Sequence, residues 1–260
     1  MKTFIHCLGR CLPILAALFI AGPISAQELD RTSLPIKEPV RKTYTELDVR
    51  NATAPPRFEV KAPQGAPNVI IVLIDDMGFG VSESFGGPIP MPTLDRLADN
   101  GVRFNRFHTT ALCAPTRMAL LSGYNHHSNN MGVITEAGTT FPGYTGVRPQ
   151  TITPIAEVLR QNGYNTAQFG KSHEVPPWEI SNNGPLDRWP AHSGFEKFYG
   201  FLGGETNQWA PLIYDGVTLV ETPNDPDYHF TTDMTDQAIS WVRSQQALSL
   251  IHISEPTRRT

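Results

Sequence analysis

An unbroken apolar run constrains the fold of this chain more than any other feature. Residues 68–76 read Asn-Val-Ile-Ile-Val-Leu-Ile-Asp-Asp. β-branched residues dominate the run and no polar residue interrupts it, which is typical of a strand buried on both faces of a parallel sheet. Ligand sites in open α/β sheets lie beyond the carboxyl ends of such strands. The run therefore predicts an α/β fold with a site near Asp75 and Asp76.

The two aspartates at the end of this run suggest a cation. Adjacent carboxylates repel each other unless a positive charge joins them, and ligand sets made of oxygen atoms suit Ca²⁺ or Mg²⁺. Asp75 and Asp76 are therefore predicted metal ligands. The alternative is that they only cap the following turn.

Helix and strand signals continue the α/β pattern along the chain. Thr93 to Gly101 and Thr153 to Gly163 each have a threonine to cap a helix start and a glycine to end it. A third helix is predicted over Thr232–Arg243 from its amphipathic spacing. Short strands are predicted at Val102–His108 and Tyr164–Phe169, and an edge strand at Arg57–Val60.

The N-terminus carries the pattern of an export signal. Residues 1–26 combine Lys2 and Arg10, an apolar run from Leu12 to Ile20, and a small-residue cleavage site at Ile24-Ser25-Ala26. The alternative is a membrane anchor, but the run is short and is broken by Pro13 and Pro23. We expect an exported protein, periplasmic or secreted, without a stable membrane anchor.

The net charge and the cysteine content exclude some classes of partner and of fold. The net charge is -4, and it falls to -6 when the signal with its two basic residues is removed, so a nucleic-acid partner is not expected. Cys7 and Cys11 leave with the signal, and Cys113 then stands alone, which excludes an internal disulfide framework.

Cys113 lies in a segment that predicts a helix start beside an anion site. Pro115 suits a first helical turn because its missing N–H would be unpaired there. Arg117 follows four residues after Cys113, so one helical turn places its guanidinium near the sulfur. First-turn N–H groups and an arginine together favour an anion. The alternative is a cysteine that packs as a small apolar residue.

A second segment is predicted to deliver a cation and a proton donor to the same crevice. Residues 163–173 read Gly-Tyr-Asn-Thr-Ala-Gln-Phe-Gly-Lys-Ser-His, so Lys171 and His173 follow a predicted strand. Strand ends of one parallel sheet share an edge, which would bring both side chains towards Asp75 and Asp76. Taken alone, Lys-x-His is more often part of a solvated loop.

Together these segments resemble the type I sulfatases of the alkaline-phosphatase-like superfamily. Cys-x-Pro-x-Arg-x-x-x-Leu-x-Gly and Gly-Tyr-x-Thr-x-x-x-Gly-Lys-x-His both match, although Ser172 stands where the family usually has tryptophan. The resemblance implies a doubly wound, mostly parallel sheet. It also implies that a formylglycine-generating enzyme oxidises Cys113 to formylglycine, whose hydrate attacks the sulfur of a small-molecule or carbohydrate sulfate ester.

The resemblance also assigns roles to individual residues. Asp75, Asp76 and residue 113 would bind Ca²⁺, with Mg²⁺ as the alternative. Arg117 would hold the hydrated side chain, Lys171 would bind sulfate oxygens, and His173 would orient the hydrate or take its proton.

Two alternatives remain open beside sulfate-ester hydrolysis. The family's Asp-Asn metal pair, a further His and a further Lys come later than the matched segments, so this chain is expected to be an inactive fragment. A phosphonate monoester or phosphodiester hydrolase with the same cysteine motif is the other alternative.

The predicted domain organisation has four parts. They are the signal at 1–26, a proline-rich arm at 27–66, the N-terminal part of the catalytic domain at 67–247, and a tail at 248–260. One reading frame of a sequencing adapter encodes residues 248–258, so the tail is excluded from fold reasoning. The aromatic-rich loops of 174–215 are predicted either to rim the site or to pack as ordinary loops. His126 and His127 are placed at the pocket rim.

Overall fold

The computed structural model describes residues 29–253, apart from Lys42 and Pro56. The predicted export signal lies outside this range, as do the last seven residues of the predicted tail.

The described residues form a mixed α/β structure with four helices and four short strands. The helices are α1 (Pro92–Asp99), α2 (Cys113–Ser122), α3 (Ile155–Gln161) and α4 (Phe230–Ile253). The strands are β1 (Ala167–Lys171), β2 (Lys197–Phe201), β3 (Ile213–Asp215) and β4 (Thr218–Val220). Single 3-10 turns lie at Glu83–Phe85, Thr135–Ala137, Pro177–Glu179 and Pro190–His192.

The strands form one sheet in the order β1-β2-β3-β4. β1 and β2 are parallel, with Ala167 opposite Lys197 and Lys171 opposite Phe201. The β2–β3 and β3–β4 pairs are antiparallel. A mostly parallel sheet was expected, and the described strands contain one parallel pair. β3 and β4 follow each other across the two residues Gly216 and Val217, a length that produces an antiparallel hairpin.

The two faces of the sheet carry separate apolar clusters, because successive strand side chains point to opposite sides. Phe198 packs with Val175, Trp189, Leu202 and Tyr214 on one face. The other cluster contains Tyr199, Phe201, Ile213, Tyr228 and Phe230, and Met234 of α4 packs against it. A third cluster joins α2 to the following loop through Ala114, Met118 and Met131. These clusters fix the ends of β1 and α2, where the candidate site lies.

The apolar run at 68–74 is not the buried strand that its sequence predicts. The segment has no ladder partner among the described residues, and Ile70 and Val72 are 80% and 78% exposed. A strand with apolar residues on both faces needs neighbouring strands and covering helices before it becomes buried. The described strands pair with one another instead, so the run is extended and exposed.

Other element predictions were partly wrong. Arg57–Val60 and Val102–His108 are irregular. Val102 and Phe107 are exposed, because none of the described strands pairs with residues 102–108. The strand expected at 164–169 forms later, at 167–171, where residues pair with β2.

The helix at 92 is present, but Thr93 lies inside it and Met91 is the N-cap. α3 begins after Pro154, so Thr153 does not cap it. The helix predicted over 232–243 is α4, which extends to Ile253.

None of the helices between residues 29 and 253 is both long enough and apolar enough to cross a bilayer.

Candidate active site

Cys113 is the first residue of α2, as its sequence predicts. Leu112 is extended as the N-cap and provides no capping side chain, and Gly123 ends the helix with a φ of 70°. Ala114 and Met118 are fully buried, which anchors the helix, while Cys113 keeps partial exposure and is a free thiol. The helix therefore presents Cys113 at its N-terminal end on a fixed support.

Asp75 joins the two sequence motifs through a pair of cations. Arg117 Nη2 donates to Asp75 Oδ1 at 3.1 Å, and Lys171 Nζ donates to Asp75 Oδ2 at 2.6 Å. Arg117 Nη1 also donates to the carbonyl oxygen of Lys171 at 2.9 Å. The extended run, α2 and the end of β1 therefore meet at one carboxylate, as the sequence predicts.

The charges in this cluster act on the carboxylate. Burial would raise the pKa of Asp75, but the hydrogen bonds from Lys171 and Arg117 and their charges outweigh it and hold the pKa below its usual value. Asp75 is therefore ionised at neutral pH, and the three side chains together carry one net positive charge.

His173 lies two residues after Lys171 and contacts a different carboxylate. His173 is 2% exposed, and its Nε2 lies 2.8 Å from Oε2 of Glu136. Burial lowers the pKa of His173, and this effect outweighs the charge of Glu136, which acts in the opposite direction. His173 is therefore neutral at neutral pH.

Two buried carboxyl groups, Glu174 and Glu179, lie near arginine side chains. Glu174 is buried, and burial raises its pKa to about 7 against the opposing charges of Arg148 and Arg117. Arg188 Nη1 donates to Glu179 Oε1 at 2.6 Å, and its Nε donates to the carbonyl oxygen of Arg148 at 3.0 Å.

Asp76 differs from its neighbour in its surroundings. It is exposed, and within the described part of the chain its side chain makes no hydrogen bond or ion pair. Its φ of 53° lies in the left-handed region, which is uncommon for a residue other than glycine. Such strain concentrates at functional sites.

The donor set tests the metal prediction. Carboxylate oxygens are the ligands that Ca²⁺ and Mg²⁺ prefer, so Asp75 and Asp76 fit in chemistry. Between residues 29 and 253, however, no group of three or more His, Cys, Asp or Glu residues could hold a metal ion. Both oxygens of Asp75 already accept hydrogen bonds from cationic side chains. The described residues therefore offer two carboxylates of suitable chemistry at this position, without a third ligand group beside them.

The predicted rim residues divide into two groups. Trp189 and Tyr199 are buried in the two sheet clusters, whereas Trp178 and Trp209 are 63% and 65% exposed. His127 Nε2 lies 3.0 Å from the hydroxyl oxygen of Tyr144, and the rings of His126 and His127 lie 4.2 Å apart. The adjacent histidines therefore belong to an aromatic surface group.

Sequence reasoning missed Glu136 and Glu174. Glu136 lies in a loop rich in glycine and threonine, which offers no periodic signal. Glu174 follows His173 directly, so its position beside the Lys-x-His motif was the one available signal.

Comparison with known proteins gives one family. The profile of the sulfatase family matches residues 67–256. An arylsulfatase of Klebsiella aerogenes is 34% identical over 154 residues, which cover 58% of this chain and 32% of that protein. Human arylsulfatase A is 36% identical over 136 residues, covering 52% of this chain and 25% of that protein. An uncharacterised sulfatase of Schizosaccharomyces pombe is 34% identical over 161 residues, covering 59% of this chain and 27% of that protein. The chain therefore spans about a quarter to a third of the length of these relatives.

Solved structures show a shared fold. The crystal structure of Ps i-CgsB matches with a TM-score of 0.52 at 21% identity, over 66% of this chain and 40% of that chain. A second structure of Ps i-CgsB, in complex with k-i-k-neocarrahexaose, matches with a TM-score of 0.51.

Proposed function

This chain belongs to the sulfatase family, and we propose that it carries a catalytic site for hydrolysing sulfate monoesters. The observation that carries this proposal is the convergence on Asp75. Arg117 from the cysteine motif and Lys171 from the second motif both donate to this carboxylate, at 3.1 and 2.6 Å. The segments that carry the two motifs therefore meet in space, close to the helix that begins with Cys113.

The charge of this cluster suits the proposed substrate. Two cations and one carboxylate leave one net positive charge, and a sulfate monoester carries one negative charge. Lys171 and Arg117 have side chains only 10% exposed, so little water screens them. We propose that Lys171 donates hydrogen bonds to sulfate oxygens and that Arg117 holds the hydrated side chain of residue 113. Neutral His173 would orient the hydrate or take its proton.

Two groups complete the proposed chemistry. Formylglycine made from Cys113 by a formylglycine-generating enzyme would supply an aldehyde hydrate as the nucleophile. Asp75 and Asp76, with residue 113, are the ligands we propose for Ca²⁺ or Mg²⁺, which would supply positive charge at the reacting group. Arg117 then serves two purposes, since it neutralises Asp75 and anchors the end of β1 through the Lys171 carbonyl oxygen.

The same proposal covers the complete sheet, the cellular location and the substrate class. We propose that the mixed sheet is part of a doubly wound, mostly parallel sheet in which residues 68–74 form a central strand. Their apolar character on both faces supports this. The pattern of residues 1–26 supports export to the periplasm or the exterior. The arylsulfatase relatives favour a small aryl sulfate as substrate, and the oligosaccharide in the complex of Ps i-CgsB keeps a carbohydrate ester within the proposal.

A second candidate is that the chain by itself is not catalytic. It is favoured by the absence of a three-ligand metal group within the described residues. A third candidate, hydrolysis of phosphonate monoesters or phosphodiesters, would use the same cysteine motif.

One set of assays separates these candidates. The chain is produced together with a formylglycine-generating enzyme, supplied with Ca²⁺, and tested on 4-nitrophenyl sulfate, bis(4-nitrophenyl) phosphate and a phenylphosphonate ester. Cys113→Ala is the matched control. We expect Cys113-dependent release that is fastest from the sulfate. Faster release from the phosphorus esters would support the third candidate, and no Cys113-dependent release from any substrate would support the second.

A further inference from the structure

We propose that Glu136 is a positioning residue for His173, which it holds in one orientation and in the Nε2–H tautomer. The inference rests on the proposed function, because it concerns the histidine of the sulfate site. Glu136 lies outside both sequence motifs, and its contact with His173 is made by Oε2 at 2.8 Å from Nε2.

The backbone at His173 is held in a strained conformation. Its φ of 53° lies in the left-handed region, which residues with a Cβ rarely adopt. The strand hydrogen bonds continue past β1 to hold it there. Ser172 N–H donates to the Phe201 carbonyl oxygen at 2.9 Å, and His173 N–H donates to the Leu202 carbonyl oxygen at 3.1 Å. Such strain persists when the surroundings determine the conformation, and here β2 does so.

Glu136 determines the orientation and the tautomer of the His173 side chain. Burial would raise the pKa of Glu136, but its hydrogen bonds outweigh burial and lower the pKa, so the carboxylate is ionised at neutral pH and accepts hydrogen bonds. His173 Nε2 must then be the donor. Nδ1 is buried and has no hydrogen-bond partner among the described residues, so it is the ring's one acceptor.

The carboxylate is itself held in place. Thr135, which is 2% exposed, donates from Oγ1 to the same Oε2 atom of Glu136 at 3.1 Å. Glu136 and Thr135 belong to a single 3-10 turn, Thr135–Ala137. A turn on a different loop therefore sets the orientation of His173 through Glu136. This arrangement involves no direct contact between Glu136 and Asp75.

Gly204 leaves the space that this pair needs. A Cβ at this position would lie 3.0 Å from Cε1 and 3.1 Å from Nε2 of His173, and 3.4 Å from Oε1 of Glu136. Any larger residue would press on the ring edge that carries the donor. The missing Cβ is therefore a second, independent sign that this edge of His173 is shaped for Glu136.

Burial keeps the histidine neutral, so the ring has a defined tautomer. Besides Glu136, the charged groups that act on it are Lys171 and Arg117, and both lower the pKa of His173 after the larger effect of burial. A neutral imidazole has one donor and one acceptor nitrogen, and the choice between them is set by the partner of one nitrogen.

Imidazole ¹⁵N spectra of the 260-residue chain test the proposal without substrate. The His173 signals are assigned by their loss in His173→Asn. We expect the Nε2–H tautomer in the wild-type chain and in Glu136→Gln, whose amide oxygen still accepts the hydrogen bond. We expect Glu136→Ala to lose this tautomer preference, and Gly204→Ala to shift the His173 signals. Glu205→Gln removes a neighbouring exposed carboxylate and should change nothing.

A second readout separates positioning from general structure. Glu136→Gln removes the one charge that favours imidazolium, so the pKa of His173 should fall further in this variant and remain unchanged in Glu205→Gln. A wild-type Nδ1–H tautomer, or an unchanged spectrum in both Glu136→Ala and Gly204→Ala, would overturn the proposal. Because no turnover is measured, failure of sulfate hydrolysis would leave this result intact and would count against the proposed function alone.

Discussion

Asp75→Asn is expected to destabilise the chain more than any neighbouring charge removal. In the folded state Asp75 accepts hydrogen bonds from Arg117 and Lys171, whose side chains are each 10% exposed. Removing the carboxylate leaves two cations close together and sheltered from water. Neither cation has another carboxylate within 4.0 Å among the described residues.

The magnitude follows from the burial of the three groups. Removing one partner from a fully buried ion pair costs about 3–5 kcal/mol, whereas exposed pairs contribute about 0–1 kcal/mol. Asp75 keeps 38% of its side chain exposed, which places the cluster between these limits. We therefore expect Asp75→Asn to lower the free energy of unfolding by about 1–3 kcal/mol. Lys171→Met should cost less, because Asp75 keeps Arg117 as its partner.

Urea unfolding at pH 7 in the presence of EDTA measures the effect. Asp76→Asn is the matched control, since it removes an adjacent carboxylate that makes no ion pair in the described structure. The Asp75→Asn/Lys171→Met double variant completes the cycle and should show a coupling of about 0.5–3 kcal/mol, the range for residues in contact. Equal stability of Asp75→Asn and Asp76→Asn, with no coupling to Lys171, would refute the ion cluster.

Two further predictions follow from the interior and the surface. Burial raises the pKa of Glu174 from 4.5 to about 7, so between these pH values the folded state keeps a proton that the unfolded state releases. The free energy of unfolding should therefore fall by roughly 3 kcal/mol as the pH rises from 4.5 to 7. Glu174→Gln should abolish this fall in urea titrations, and an unchanged pH dependence would contradict the burial of the carboxyl. Val72 is 78% exposed in an extended apolar segment, so Val72→Lys should reduce aggregation, measured as light scattering by concentrated protein. Val40→Lys is the control and should not reduce it, because Val40 is an isolated and fully exposed valine. Equal scattering by wild-type chain and Val72→Lys would show that the run is covered.

The features predicted best are those determined by local chemistry. The start of α2 at Cys113 and its end at Gly123 follow from a proline in the first turn and a glycine that adopts a positive φ. The approach of Lys171 to Asp75 was also expected, because the strand ends of one parallel sheet share an edge. The contact of Arg117 with Asp75 was not expected from spacing, which placed Arg117 near Cys113, and His173 contacts Glu136 instead of the aspartates.

The features predicted poorly depend on distant partners. Residues 68–74 have the composition of a buried strand, yet their burial requires neighbours that the described residues do not provide. The pairing of β2 with β3 and β4 depends on tertiary contacts of a loop-rich segment, which has no periodic signal. Glu136 reaches His173 across 37 residues of sequence, so only the folded chain brings the two together.

The mass of the peptide spanning residues 107–117 tests the central claim most directly. Trypsin cleaves after Arg106 and after Arg117, and the released peptide contains Cys113. The account predicts that coproduction with a formylglycine-generating enzyme converts at least part of Cys113 to the aldehyde, detected by its lower mass and by reaction with a hydrazine probe. Pro115→Ala and Arg117→Lys, which keeps the trypsin site, should reduce this conversion, because both residues belong to the matched motif. Finding only the thiol at Cys113, beside an enzyme that converts a control sulfatase in the same cells, would contradict the account.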